Sequence, residues 1–225
     1  MLKNKKNNND ILNSQKLSFI GNLKKYFPHI LLNIYILEFL YFSINPFDRL
    51  VWFLENSLVM IVVILLIVTY KKFRFSNFSY FLFGIILIMH TYGGHYSFSH
   101  TPFEFFNNLL DKLDWNVFPE GRNNFDRIGH FAIGILAYPI SEVVYRKKII
   151  KNLFISILFG LFALTFWGAL YEVLEMYVAI NLGDGSGMLY VGSQGDIWDA
   201  QNDLMLDILG AMTISILFWW NYRKK

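Results

Sequence analysis

Ten ionisable side chains of metal-binding type recur in four short stretches of this chain. His90 and His95 stand in "MHTYGGHYSF", Asp126 and His130 in "GRNNFDRIGHFAIG", Glu172 and Glu175 in "YEVLEMY", and Asp196, Asp199, Asp203 and Asp207 in "GSQGDIWDAQNDLMLDILGA". Imidazole nitrogens and carboxylate oxygens are borderline and hard donors that suit Zn, Mn, Fe or Mg. A divalent metal would let so many like charges share one place, because without one, repulsion and desolvation leave several carboxylates protonated. Water on such a metal is a nucleophile for a phosphate or carbonyl ester.

Spacing gives these residues common faces. Asp126 and His130 are i,i+4, and Glu172 and Glu175 are i,i+3, so each pair lines one helix stripe. At about 100° per residue, Asp196, Asp199, Asp203, Asp207 and Gly210 fall within an arc of roughly 80° if one helix carries them all. Gly168 and Ala179 share the stripe of the glutamates, and Ala137 that of His130. Carboxylates flanked by small residues mark helix-packing faces rather than lipid-facing ones. The pattern assigns metal ligation to His95, Asp126, His130, Asp199 and Asp203, and general-base catalysis to Glu172 and Glu175. His90, Arg127, Gln194 and Asp196 are the expected substrate-binding rim. His95 joins the set only if Gly93 and Gly94 break their helix and let it swing round. A plainer reading stands beside this one: Asp126, Asp196 and Asp199 cap helices, Arg127 pairs with a neighbouring carboxylate, and the cluster fixes helix packing.

The elements that position these groups are membrane helices. A chain of 225 residues that is 55% hydrophobic, 19% aromatic and only 16% charged is too apolar for a soluble domain of this size. Apolar runs long enough to cross about 30 Å of hydrocarbon fall near 27–44, 51–70, 78–95, 126–145, 150–180 and 204–222, so an all-α polytopic bundle of about six spans is expected. Sixteen of the 20 basic residues lie in the N-terminal stretch, the second and fourth loops and the C-terminus, while Arg49, Lys112, Arg122 and Arg127 lie in alternate loops. That asymmetry places both termini in the cytoplasm and explains the net charge of +3 without a nucleic-acid partner. All four motif stretches then lie at the outer side, where a lipid or lipid-linked envelope precursor is the natural substrate.

Residues 1–26, rich in Asn and Lys, read as a disordered cytoplasmic tail, and 27–222 as one transmembrane domain. Residues 103–118 space Phe103, Phe106, Leu110 and Leu113 like one face of an interfacial helix that could roof the site. "NLGDGSGMLYVGSQG" reads as a flexible loop, since no strand precedes it to make a phosphate cradle. Glu142 suits an i,i+4 pair with Arg146; Glu38 has no assignment. With no cysteine there is no thiol chemistry. The rival functions are a small-solute or proton-coupled transporter, although carriers place substrate near the midplane, and a non-catalytic membrane assembly factor.

"TYGGHYSFSHTPF", "GRNNFDRIGHFAIG", "YEVLEMY" and "GSQGDIWDAQNDLMLDILGA" together resemble the successive motifs of the YjdF-like family of bacterial inner-membrane proteins, over roughly residues 28–222. The resemblance implies the architecture and an inner-membrane location, and no activity. A looser similarity to VanZ-like proteins lies in the Asp126–His130 spacing and in "DLMLDILG", where Asp203 and Gly210 match and Asp207 stands where Asn is usual. It implies a cell-envelope setting. Asp207 also departs from the YjdF-like pattern, which favours a small residue there.

Overall fold

The computed structural model describes the backbone of residues 2–113, 115–182 and 184–224, with their side chains except those of residues 2–12, 14, 17–19 and 184–186. Among the described residues every regular element is helical: α1 (Leu2–Phe42), α2 (Arg49–Thr69), α3 (Asn77–His95), α4 (Glu104–Leu110) with a 3-10 turn at Asp111–Leu113, α5 (Phe125–Gly134), α6 (Ala137–Arg146), α7 (Leu153–Leu182), α8 (Asp184–Val191) and α9 (Asp199–Tyr222).

Local chemistry explains several boundaries. Asp48 caps α2 by accepting from the Val51 N–H at 2.9 Å, and Ser76 caps α3 by accepting from Ser79 N–H at 3.2 Å. The span expected at 126–145 is divided into α5 and α6 by a break at Ile135–Leu136. Pro139, in the first turn of α6, has no N–H to continue the ladder and its ring crowds the Ile135 carbonyl, so the helix restarts there. The glycine-rich stretch expected as a loop instead contains α8, which packs on α7: a Cβ on Gly187 would stand 2.6 Å from the Ala179 carbonyl oxygen. The backbone of α1 is helical from Leu2 through the Asn/Lys-rich stretch expected as a disordered tail; its Lys, Leu and Gln favour helix, against the weaker propensity of its asparagines and Gly21.

Among the described residues, four helical stretches are long and apolar enough to cross a membrane: Arg49–Thr69, Phe125–Arg146 taken through its break, Leu153–Leu182 and Asp199–Tyr222. Shorter or more polar, α1 and α3 are diluted by His29, Asn33 and Glu38 and by His90, Thr91 and His95. The bundle turns apolar side chains outward, Phe162, Phe166, Trp167 and Ile180 of α7 among them, as helices facing lipid do. Two larger clusters make up most of its core among the described residues. Tyr138, Ile157, Leu164, Ala211, Ile214 and Phe218 join α6, α7 and α9, while Tyr35, Val59, Val63 and Leu87 join α1, α2 and α3.

Small residues set the spacing between α5, α7 and α9. A Cβ on Gly134 would lie 2.8 Å from both the Gly210 Cα and the Ala211 nitrogen, so α5 and α9 touch backbone to backbone. A Cβ on Gly168 of α7 would collide with the Asp207 carboxylate. These close approaches bring the acidic face of α9 against the His130 stripe of α5.

Candidate functional site

The site is built around two arginines. Arg127, on the first turn of α5, is wholly buried; its Nη2 lies 2.7 Å from Asp196 Oδ2 and 2.8 Å from Asp199 Oδ1, and its Nη1 pairs with Asp203 Oδ1 and donates to the Asp199 carbonyl at 3.1 Å. Arg122, just before α5, pairs with the same Asp199 Oδ1 at 2.7 Å and donates to the Ser193 carbonyl. The loops they join are latched by Gln194, whose Oε1 accepts from the Asn123 N–H at 2.9 Å and whose Nε2 donates to the Asn123 carbonyl at 3.0 Å. Asp196 completes the latch, accepting from the Trp198 N–H at 2.8 Å and from Asn202 Nδ2 at 3.0 Å. This residue lies outside the spans, and its carboxyl sits below the ordinary range: burial pushes it up, but the bonds from Trp198 and Asn202 and the charges of Arg127 and Arg122 outweigh that.

One turn further into the bundle stands His130. Its Nδ1 is 3.3 Å from Asp207 Oδ1, and its Nε2 is 3.8 Å from both Asp126 Oδ1 and Glu172 Oε1. Asp126, His130 and Asp203 each offer one ligand atom within 4.8 Å of the others, and they are the one such group of three among the described residues. Glu172 Oε1 and Asp207 Oδ2 are buried without a hydrogen-bond partner among the described residues, while Asp203 Oδ1 is met by the Arg127 guanidinium. Orphaned acceptors of this kind require a proton or a cation.

Across a small cavity lies a second polar group. Glu55 of α2, almost fully buried, has its Oε2 2.9 Å from the Tyr171 hydroxyl of α7, which donates to it, and 3.1 Å from His90 Nε2 of α3. Glu55, His90, Tyr171, Glu175 and Tyr190 line one side of the cavity, and Asp126, Gly129 and His130 the other. The space open to the centre of a water molecule is ≈ 20 Å³, enough for a water or an ion but not for a larger ligand without movement.

Of the expected ligands, Asp126, His130 and Asp203 come together, with Glu172 beside them. Asp199 is engaged by both arginines, so its charge is already matched. His95 stands apart: its Nδ1 is 2.9 Å from the Phe42 carbonyl and its ring packs on Phe42 and Tyr96. The expected glycine break does not occur, because α3 runs through Gly93 and Gly94 to His95. Those glycines serve packing instead: a Cβ on Gly93 would meet Phe98 and Phe125, and one on Gly94 would meet Asn56 and Glu55. The rim also differs. Arg127, Gln194 and Asp196 are spent on each other and on the loops, and only His90 of that set faces the cavity. Neither Asp126 nor Asp199 makes a capping bond; the residue before α5 is Asn124 and the one before α9 is Trp198.

Sequence reasoning missed Glu55, Tyr171, Tyr190 and Arg122. The available signal was "LENS" inside the otherwise apolar second span, where a buried Glu–Asn pair is costly unless it has partners. Outside the cluster, residues 104–113 expose Phe105, Phe106, Leu109 and Leu113, while Val117 and Phe118 are buried against Leu206.

Residues 27–224 match the family described as "Predicted membrane protein (DUF2238)". The chain is 32% identical over 182 residues to "Inner membrane protein YjdF" of Escherichia coli (strain K12), a match covering 79% of this chain and 81% of that protein. No solved structure matches.

Proposed function

Given that the chain belongs to the DUF2238 family of membrane proteins and is a multi-pass protein of the inner membrane, we propose that Asp126, His130 and Asp203 hold a divalent metal, and that the site hydrolyses a phosphate or acyl ester of a lipid or lipid-linked envelope precursor. The observation that carries this reading is the triad itself: buried His130 and Asp203 and half-buried Asp126 offer donors within 4.8 Å of one another, with Glu172 Oε1, which lacks a hydrogen bond, 3.8 Å from His130. The surrounding charge supports it. Asp126, Asp196, Asp199, Asp203, Asp207, Glu172 and Glu175 face two arginines and one histidine, an excess of negative charge that a buried region relieves by binding cations or protons. When bound, a divalent metal there would supply an activated water and polarise a phosphoryl or carbonyl oxygen. Asp207 fixes His130 through Nδ1 and leaves Nε2 facing Asp126 and Glu172. Glu172 is the general base nearest the triad, and Glu175 lines the cavity behind it.

In this reading α1 and α3 also cross the bilayer, so that six spans form one domain over residues 27–222 with both termini cytoplasmic, as the distribution of Lys and Arg supports. The cluster then faces outward. A proton-coupled carrier is the second reading, favoured by Glu38 of α1, whose two carboxylate oxygens are buried without hydrogen-bond partners among the described residues.

The deciding experiment is metal analysis of the full chain, purified without a chelating tag after growth in metal-replete medium. About one divalent ion per chain is expected, and it should be lost in His130→Ala and Asp203→Ala, which still insert. Wild-type protein without stoichiometric metal would rule out the hydrolase reading.

A further inference from the structure

The bundle end opposite the acidic cluster carries an open bowl of ≈ 940 Å³, measured as the space for water centres, where the start of α3 meets the ends of α6 and α9. Arg74, Arg146, Lys148 and Lys151 line it. Its one carboxylate, Glu142, is fully buried and already satisfied: it accepts from Ser76 N–H at 2.9 Å, Ser76 Oγ at 3.0 Å, Ser79 Oγ, Arg146 Nη1 at 2.6 Å and the Tyr222 hydroxyl at 3.2 Å. Four cations therefore line a hollow whose single anion is matched by one of them, Arg146, leaving an excess of positive charge. The two arginines are pre-set: Arg74 donates to the Lys24 and Lys25 carbonyls, and Arg146 donates to the Arg74 carbonyl and lies 4.9 Å from the Phe73 ring centroid. Lys148 and Lys151 form no ion pair among the described residues.

The depth of the bowl is marked independently. Trp219 and Trp220, at the end of α9, are exposed, and the Arg223 guanidinium lies 4.7 and 4.0 Å from their ring centroids. Exposed Trp beside Arg at the end of a span is the signature of the headgroup layer. Beside the free lysines, Ile149 and Phe154 expose their apolar side chains, a surface suited to acyl chains below a bound headgroup.

We infer that this bowl binds the phosphate of an anionic phospholipid headgroup, with Lys148 and Lys151 as the principal contacts and Arg74 and Arg146 as its fixed wall. The site is independent of the acidic cluster and of what that cluster does.

Native mass spectrometry of the full chain in detergent tests it with phosphatidylglycerol, phosphatidylcholine of the same acyl chains, and inorganic phosphate. Phosphatidylglycerol should bind more tightly than phosphatidylcholine, and Lys148→Gln/Lys151→Gln should weaken it about thirtyfold, since each of the two basic residues contributes about 1 kcal/mol near an anionic surface. Lys71→Gln/Lys72→Gln, which removes equal charge outside the bowl, should leave the affinity unchanged. Equal binding of the two lipids, or equal losses in the two double variants, overturns the inference. Displacement of the lipid by millimolar phosphate would overturn it too, because the bowl would then read the free anion.

Discussion

Gly134 and Gly210 meet with no side chain between them, their helices so close that a Cβ on Gly210 would stand 3.1 Å from the Gly134 Cα. Gly134 lies one helical turn beyond His130, and Gly210 three residues beyond Asp207. The contact therefore fixes the distance between the two walls of the site.

Substituting Val at either glycine should force α5 and α9 apart. Overpacking of this kind costs about 1–3 kcal/mol and should lower the melting temperature in detergent. Gly129→Ala, where an added Cβ meets nothing within 4 Å, should be neutral or stabilising. Valine variants that melt with wild type would show that the helices do not touch there.

Arg127→Met should be among the most destabilising single changes in the chain. It leaves Asp196 and Asp203 without their counter-ion and Asp199 with Arg122 alone, and breaking a buried ion pair from one side costs about 3–5 kcal/mol. Adding Asp203→Leu to Arg127→Met should recover part of the loss, a non-additivity expected only of residues in contact. Additive effects in thermal melts would contradict the pairing.

Acid should loosen the latch at the mouth of the site. The Asp196 carboxyl sits below its ordinary value when folded, so its contribution is complete above the unfolded pKa of about 3.9 and is lost as pH falls through the lower folded value. Wild-type melting temperature should therefore drop below about pH 4. Asp196→Asn, which retains little of the Arg127 pairing, should start lower and show a shallower acid slope. Parallel pH profiles for the two proteins would exclude the latch.

Topology can be read directly. Reporter fusions after residues 72 and 225 should report cytoplasm, and fusions near residues 110 and 190 the outer side, following the bias of Lys and Arg toward alternate loops. A cytoplasmic signal at residue 190 would turn the acidic cluster inward and remove the case for an outer-leaflet substrate.

The parts of the site that sequence revealed are those whose logic is local. Asp126 with His130, and Glu172 with Glu175, announce themselves because i,i+4 and i,i+3 spacing is a property of one helix. The all-helical architecture follows in the same way from apolar length. Glu55 and Tyr171 were harder to connect for the opposite reason: their hydrogen bond joins positions 116 residues apart, so no spacing along one helix pairs them. His95 was misplaced because a glycine pair has two uses, a hinge or a close approach, and only the neighbours Phe98, Phe125 and Asn56 decide between them. Pro139, by contrast, was a visible signal for the α5–α6 break, since a proline's ring crowds the carbonyl four residues earlier in any helix.

The ion pairs of Arg127 also bear on how the protein is made. Ribosomal synthesis delivers Arg127 69 residues before Asp196 and still longer before Asp203, and the three carboxylates that neutralise it surround the start of the last helix. Until that helix arrives, the α5–α6 span holds an uncompensated guanidinium at the membrane, at a cost that favours leaving it shallow or in water. The last span thus acts as the closing piece of assembly, and a chain interrupted before residue 196 carries an exposed basic α5 for membrane quality control to remove.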